Sequence, residues 1–186
     1  MTITMNFCGN CGQKTITKIP LGDQQLRQVC SACGNIHYVN PKVICGALVV
    51  WENKVLLCRR AIEPRYGLWT LPAGYMEMFE TMEQASARET REEAEAEIEI
   101  EQLYCLYNIP RIGQIYVLFK AQLLNGQFGA GEETIESRLF SEDEIPWSEL
   151  AFPSVERTLQ HYFADRKNNH FTTHLETLGS RTDHTG

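Results

Sequence analysis

Apolar and polar positions divide the chain into two parts with different patterns. Residues 15–19 and 26–29 alternate between apolar and polar side chains on either side of a Pro-Leu-Gly-Asp turn, which predicts a β-hairpin. After Asn40-Pro41 the apolar runs become longer and richer in β-branched residues, so residues 43–51 and 54–59 predict two strands. The pattern therefore predicts a small hairpin module followed by a larger domain.

Two segments of the larger part carry helix signals. Thr81 followed three residues later by Gln84 fits a capping box, and residues 82–94 contain only good or tolerable helix formers. Pro153 suits the first turn of a second helix, which we expect over residues 152–163. The larger part therefore combines strands with two helices.

Composition and run lengths exclude several classes of protein. The chain has 186 residues, 43% of them hydrophobic and 22% charged, which excludes wholesale disorder and collagen-like repetition. Its longest apolar runs fall far short of the roughly 20 residues that a membrane span needs. Residues 1–8 lack the basic and then apolar pattern of a secretory signal. We therefore expect a cytoplasmic protein that does not contact membranes.

The net charge of −7 is concentrated in one segment. Residues 74–101 contain ten Glu and two Arg, a local balance of −8, so the rest of the chain carries +1. A nucleic-acid backbone would be repelled by this segment unless cations intervened. We therefore expect no nucleic-acid partner.

Four of the seven cysteines form two CxxCG units, Cys8 with Cys11 and Cys30 with Cys33, with 18 residues between the units. Each two-residue gap lets two sulfur atoms face one ion, and four thiolates complete a tetrahedral zinc site. Disulfides or redox thiols are the alternative, but they are disfavoured in a chain without an export signal. We interpret residues 1–40 as a zinc ribbon, whose small core needs the metal for its folding free energy.

The first expected helix carries three carboxylates on one side. At 100° per residue, Glu89, Glu92 and Glu93 share an arc of about 100°. Three like charges this close favour a counterion, and carboxylate oxygens select Mg²⁺ or Mn²⁺ over metals that prefer soft ligands. Arg88 is adjacent and could hold one of these carboxylates or Glu80 in place. On spacing alone, a solvated acidic face remains the alternative.

The spacing around this helix resembles that of a known family, the Nudix hydrolases. The positions of the Nudix box are matched by Gly74, Glu80, Arg88, Glu89, Glu92 and Glu93. The resemblance implies an α/β fold, the Nudix α/β/α sandwich with a mixed sheet and a helix on each side. Two positions depart from the family pattern, since Thr90 replaces an aliphatic residue and Glu95 replaces the glycine that ends the helix. A left-handed cap at Glu95 would cost about 1 kcal/mol relative to glycine.

The resemblance covers the chain from about residue 7 to residue 163. The CxxCG pair and an Asn-Pro-Lys junction extend it. With these features the chain most resembles the subgroup of the family that begins with a zinc ribbon and includes plant plastid FAD and ADP-ribose pyrophosphatases. His170 and His174 have a spacing compatible with a metal, but the favoured interpretation is a tail that is mobile or that packs in a dimer. The implied parts are a zinc ribbon at 1–40, a Nudix domain at 41–164 and a polar C-terminal tail at 165–186.

The resemblance implies Mg²⁺-dependent hydrolysis of the pyrophosphate bond of a nucleoside diphosphate linked to another moiety. ADP-ribose and FAD are the favoured substrates, giving AMP and a phosphorylated product. NADH or another nucleotide diphosphate is the alternative, although residues 106–113 lack the Ser-Gln-Pro-Trp-Pro-Phe-Pro stretch of NADH pyrophosphatases. A zinc-ribbon protein that binds nucleic acid or senses a ligand is the alternative outside enzymes, and the complete box opposes it. We expect a small-molecule nucleotide substrate and a homodimer.

By position, the resemblance implies that Glu89, Glu92 and Glu93 bind Mg²⁺ together with the backbone carbonyl of Ala73 or Gly74. Glu80 and Arg88 complete the implied catalytic set.

The remaining roles are less constrained by the sequence. The proton acceptor is left open among Glu92, Glu93 and a glutamate of loop 131–136, with Glu136 as the loop candidate. Substrate contacts are expected from four further residues, for each of which an ordinary surface or core position is the alternative: Arg59, Arg60, Trp69 and Arg111.

Overall fold

The computed structural model describes residues 5–179. The chain divides into two compact units, residues 1–41 and residues 42–186, so the division falls within the Asn-Pro-Lys junction. Over the described residues, no helix is long and apolar enough to cross a membrane.

The first unit is a three-stranded antiparallel sheet. Its strands β1 (Thr15–Lys18), β2 (Arg27–Cys30) and β3 (Ile36–His37) are hydrogen-bonded in that order. The β1–β2 pair is the hairpin that the alternating pattern predicts. Val29 and Cys8 are among the few apolar residues buried here, so this unit has a very small apolar core.

The second unit is built on a mixed sheet with two α-helices. Its elements are β4 (Lys42–Trp51), β5 (Lys54–Arg60), β6 (Trp69–Thr70), β7 (Ala73–Tyr75), α1 (Met82–Ala94), β8 (Ile98–Ile109), β9 (Gln114–Leu123), β10 (Thr134–Phe140), α2 (Pro153–Asn168) and β11 (His174–Thr177). The main path of the sheet runs β10-β5-β4-β9-β8-β11, with β6 beside β5 and β7 beside β4. The β4–β9 and β8–β11 pairs are parallel and the other pairs are antiparallel, which confirms the expected mixed sheet.

The two helices cover opposite faces of this sheet. Successive residues of a strand point to opposite faces. In β4, Leu48 belongs to the same core cluster as Leu159 of α2, whereas Ala47 belongs to the cluster that contains Ala94 of α1. The arrangement is the α/β/α sandwich expected from the sequence.

The C-terminal region is more regular than its polar composition predicts. The second helix continues to Asn168 instead of ending near residue 163. β11 then adds an edge strand beside β8. The segment 165–186, expected to be a polar tail, therefore contributes to a helix and a strand over its described part. A four-residue strand of polar and apolar residues is too short to give a clear periodic signal.

Candidate active site

β7 runs beside the first half of β4 and leads the chain toward α1. Gly46 of β4 faces β7 so closely that a side chain there would overlap Ala73 and the carbonyl of Pro72. Thr81 and Gln84 then form the predicted capping box at the start of α1. The close packing of β4 against β7 and the capping box at the start of α1 together hold the helix beside β7.

The carboxylates of α1 meet β7 at short range. The backbone N–H of Ala73 donates to Glu93 Oε2 at 3.1 Å. A side chain at Gly74 would overlap the Glu89 carboxylate, so glycine is what allows this approach. Glu92 is the outer member, with 58% of its side chain exposed against 12% for Glu89. The helical spacing therefore correctly predicted that the three acids lie together.

Arg88 joins these carboxylates. Its Nη1 atom donates to Glu89 Oε1 at 2.6 Å and to Glu92 Oε2 at 3.1 Å. Its Nε and Nη2 atoms donate hydrogen bonds to the two carboxylate oxygens of Glu80, and Nη2 also donates to the carbonyl of Tyr75. The hydrogen bonds from Arg88, with one from the backbone, hold the pKa of Glu80 below its ordinary value. Pairing with Glu80 in turn raises the pKa of Arg88, so both groups stay charged.

The pKa values of Glu89 and Glu93 are raised, whereas that of Glu80 is lowered. Burial, and to a lesser extent the charge of Glu89, raise the pKa of Glu93 to about 8, although the hydrogen bond from the Ala73 N–H acts in the opposite direction. Burial also raises the pKa of Glu89, while Arg88 acts in the opposite direction. The charge of Glu133 adds to both increases. A divalent cation bound beside these carboxylates would favour their ionised forms and so act against the raised pKa values.

The loop that carries Glu132 and Glu133 lies directly on the end of α1. The N–H of Gly131 donates to the backbone carbonyl of Glu93 at 3.1 Å. A side chain at Gly131 would overlap the backbone of Glu92, so glycine permits this contact. The loop therefore delivers two further acids to the same cleft.

A cleft of about 1170 Å³ opens beside the carboxylates. This is somewhat larger than the roughly 300–1,000 Å³ of a common small-molecule site. The expected site residues that line it are Gly74, Arg60, Arg88, Glu89, Glu92, Glu93 and Arg111. Arg65 and Tyr116 also line the cleft, and neither carries a motif that would have identified it in the sequence.

Four of the expected residues do not line the cleft. Glu80 forms an ion pair with Arg88 at 2.8 Å. Glu136 of β10 stands opposite Arg59 of β5, and their side chains form an ion pair at 3.0 Å. Trp69 is buried and packs edge-on against a core phenylalanine, so it belongs to the core. The register between β5 and β10, which the sequence does not reveal, turns Glu136 toward Arg59.

The cysteine cluster of the first unit has the geometry of a metal site. The four sulfur atoms lie within 4.8 Å of one another. Cys8 and Cys33 are 3.8 Å apart at Sγ, and Cys11 and Cys30 are 3.4 Å apart. Tetrahedral zinc–sulfur bonds of about 2.3 Å would separate the sulfurs by about 3.8 Å. The backbone N–H groups of Asn10 and Cys33 point at Cys8 Sγ and Cys30 Sγ, which favours thiolates.

Family models match both units of the chain. The model described as NUDIX domain matches residues 41–162, and the zinc-ribbon model described as Nudix N-terminal matches residues 6–39. Among solved structures, a NUDIX hydrolase from Nitrosomonas europaea has a TM-score of 0.91 and 50% identity, covering 94% of this chain and 99% of its own.

Curated relatives carry two different names. An ADP-ribose pyrophosphatase of Methanocaldococcus jannaschii is 31% identical over 119 residues, which are 62% of this chain and 69% of that protein. The NAD-capped RNA hydrolase NudC of Vibrio vulnificus is 28% identical over 179 residues, which are 89% of this chain and 63% of that protein. The match to the NudC of Pseudomonas aeruginosa covers 49% of that enzyme. The chain thus spans about half to two thirds of the length of these NudC proteins.

Proposed function

The chain belongs to the Nudix hydrolase family, and on this basis we propose that it hydrolyses the pyrophosphate bond of a nucleoside diphosphate linked to another moiety. ADP-ribose is the favoured substrate and FAD the second, with AMP and a phosphorylated compound as products. The observation that carries the proposal is a row of carboxylates, joined by Arg88, along one wall of a cleft large enough for such a molecule.

The donor set of this wall suits a hard divalent cation, Mg²⁺ or Mn²⁺. Glu89, Glu92 and Glu93 would hold it with the carbonyl of Gly74, because all are oxygen donors. When bound, the cation neutralises the diphosphate and activates water toward phosphorus. The charge of a bound cation would also act against the burial and the neighbouring charge of Glu89 that raise the pKa of Glu93, so the ionised acids and the cation would stabilise each other.

The protein's own groups bind and orient the substrate around that position. Arg60 and Arg111 line the cleft and offer positive charge to the diphosphate. Arg88 is occupied by carboxylates and therefore positions the acids instead of contacting the substrate. Of the two loop acids that line the cleft, Glu133 is the one whose charge acts on both Glu89 and Glu93, so we assign it the role of accepting a proton from the attacking water.

The experiment compares carboxylate variants on a panel of ADP-ribose, FAD, NADH and NAD-capped RNA with Mg²⁺. We expect Glu92→Gln and Glu93→Gln to lower kcat/KM for the preferred substrate by at least about 100-fold, because each loses a charged oxygen of the cation site. Glu83→Gln, an exposed change on the same helix, is the control and keeps full activity. Unchanged rates in both site variants would contradict the proposed chemistry.

The same panel decides between the two kinds of relative. The M. jannaschii protein is named for ADP-ribose and the V. vulnificus protein for NAD-capped RNA. We place ADP-ribose first because residues 106–113 lack the stretch typical of NADH pyrophosphatases. A higher kcat/KM for NADH or NAD-capped RNA than for ADP-ribose would overturn this order without affecting the proposed bond cleavage.

We further propose that the four-cysteine cluster holds zinc with a structural role and that the protein is a homodimer. Four thiolates within tetrahedral reach support the first statement. Elemental analysis that finds one zinc per chain, and sedimentation velocity that finds twice the chain mass, are the expected results.

A further inference from the structure

The segment that ends β11 reaches the substrate cleft. The N–H of Leu178 continues the β8–β11 pairing by donating to the Asn108 carbonyl at 2.9 Å. Leu178 is half-buried against the core, and both Leu178 and Gly179 line the cleft. These residues lie outside the range 41–162 that matches the family model. A part of this chain beyond the matched domain therefore forms a wall of its cleft.

Side chains on one side of β11 hold this segment onto α2. His174 contacts Asp165 at 2.8 Å through Nε2, and its ring stacks on that of His161 with 3.9 Å between centroids. Glu176 accepts hydrogen bonds from Arg157 and contacts His161. These contacts connect two consecutive inward residues of the strand to three positions of the helix. Leu178, two residues further on, is therefore fixed in place.

Leu178 shares its core cluster with other apolar residues of the cleft lining. Ile109 follows the residue to which Leu178 is hydrogen-bonded, and Leu150 and Phe152 pack against the same core cluster and line the same cleft. Arg60 lies over the Phe152 ring at 5.2 Å and borders this apolar region with positive charge. Apolar side chains beside an arginine suit a flat ring attached to phosphate, since the ring buries its faces and the phosphate pairs with the cation.

We propose that the β11 segment, through Leu178, forms the binding wall for the ring-bearing nucleoside end of the substrate and so determines which substrates the cleft accepts. The inference rests on the proposed hydrolysis. Leu178 packs against the apolar core cluster, and its side chain can neither bind a cation nor transfer a proton, so its effect falls on substrate binding and not on bond cleavage.

The first test replaces Leu178 by Ala. We expect KM for ADP-ribose to rise at least about fivefold with kcat within twofold, because apolar contact with the ring is lost in ground state and transition state alike. Leu178→Met keeps the apolar contact and restores KM to within twofold. Leu175→Ala on the same strand is the control. Leu175 is 71% exposed, so its replacement should leave KM and kcat unchanged.

The second test narrows the cleft with Leu178→Trp. We expect the ratio of kcat/KM for FAD to that for ADP-ribose to fall at least about threefold, since the bulkier substrate tolerates the added ring less. Thermal unfolding of every variant separates loss of fold from loss of binding. A folded Leu178→Ala protein with unchanged KM for every substrate overturns the inference but leaves the proposed hydrolysis intact. A wild-type protein that cleaves no member of the panel overturns both.

Discussion

Glu133 and Glu136 belong to one short acidic segment, yet their side chains have different surroundings. Glu133 lines the cleft, and its charge raises the pKa of both Glu89 and Glu93. Glu136 forms an ion pair with Arg59 outside the cleft. Three positions along the chain thus separate a candidate proton acceptor from a surface ion pair.

The two glutamates form a matched pair for a kinetic test. We expect Glu133→Gln to lower kcat by at least about 100-fold, the usual contribution of a general base, because the amide cannot accept the proton. Glu136→Gln removes only a partly exposed ion pair, so it changes kcat by less than about threefold. Steady-state kinetics under saturating Mg²⁺ gives the comparison. Equal losses in both variants would contradict the assignment of Glu133.

The acids of α1 could be identified from the sequence because helical spacing alone brings Glu89, Glu92 and Glu93 to one side. The loop acid could not be chosen from the sequence. Its position depends on the contact of Gly131 with the backbone of α1 and on the register between β5 and β10. Such tertiary contacts leave no periodic signal, and for the same reason Arg65 was missed.

At the scale of elements, α1 ends at Glu95, a residue type that is strained in the backbone conformation of this helix cap. Glu95 caps the helix in the left-handed region, with φ 48° and ψ 34°, as the family spacing implies. A residue with a Cβ atom is strained there, whereas glycine is not. The carboxylate also lies at the negative end of the helix dipole.

Replacing Glu95 by Gly is therefore expected to stabilise the protein by about 1 kcal/mol, which raises Tm by roughly 2–4 °C in a chain of this size. Differential scanning calorimetry measures the change. Glu95→Ala removes the charge but keeps the Cβ atom, so it separates the two causes. A gain from Ala equal to that from Gly would show that charge, not backbone strain, is responsible.

The attachment of β11 to α2 depends on two ionised acids. Partial burial opposes the ionisation of Asp165, but hydrogen bonds from His174 and Tyr104 outweigh it and leave its pKa below the ordinary value. For Glu176, burial is likewise outweighed by His161 and Arg157. A lowered folded-state pKa means that the stabilisation is complete above the unfolded-state pKa, near 4 to 4.5, and is lost as the pH falls through the folded-state value.

We expect the double variant Asp165→Asn, Glu176→Gln to be less stable than the wild type by about 2 kcal/mol at pH 7. The difference should shrink as the pH is lowered below about 4.5 and through the folded-state pKa values of the two acids. Urea unfolding across this range provides the measurement. Glu149→Gln, at an exposed position, serves as the control, and a difference that stays constant with pH would contradict the explanation.

The second helix and the hairpin were accessible from local signals, namely Pro153 at a helix start and alternation around a turn. β11 was not, because its four residues are held by partners on α2 that lie 9 to 19 positions earlier in the chain. Contacts of that range depend on how the helix packs and not on the composition of the strand.

At the scale of the whole molecule, the two units differ in what stabilises them. The second has a large core that includes many fully buried side chains, whereas the first buries few apolar residues around four cysteines. The division into two units could be predicted because the CxxCG pairs and the long apolar runs fall on opposite sides of Asn40-Pro41. The strand order could not, because it is set by long-range pairing.

Removal of the proposed zinc should therefore act on one unit. We expect Cys33→Ser to lose bound zinc and the amide protection of β1–β3, while β4, β8 and β9 stay protected, because we propose a dependence of folding on metal for the first unit alone. Hydrogen exchange with elemental analysis detects both effects. Cys58→Ala is the control, since Cys58 lies in the second core and leaves the zinc content at one per chain. Global loss of protection in Cys33→Ser would contradict this separation.

The close approach of Gly46 to β7 has a consequence for anyone engineering heat tolerance. Converting glycines to alanines is a routine stabilising strategy, since alanine restricts the unfolded chain. Here a single methyl group would push against Ala73, whose N–H holds Glu93. A shift of Ala73 in β7 would displace the carboxylates that line the cleft. A mutant library designed for heat tolerance should therefore leave Gly46 unchanged.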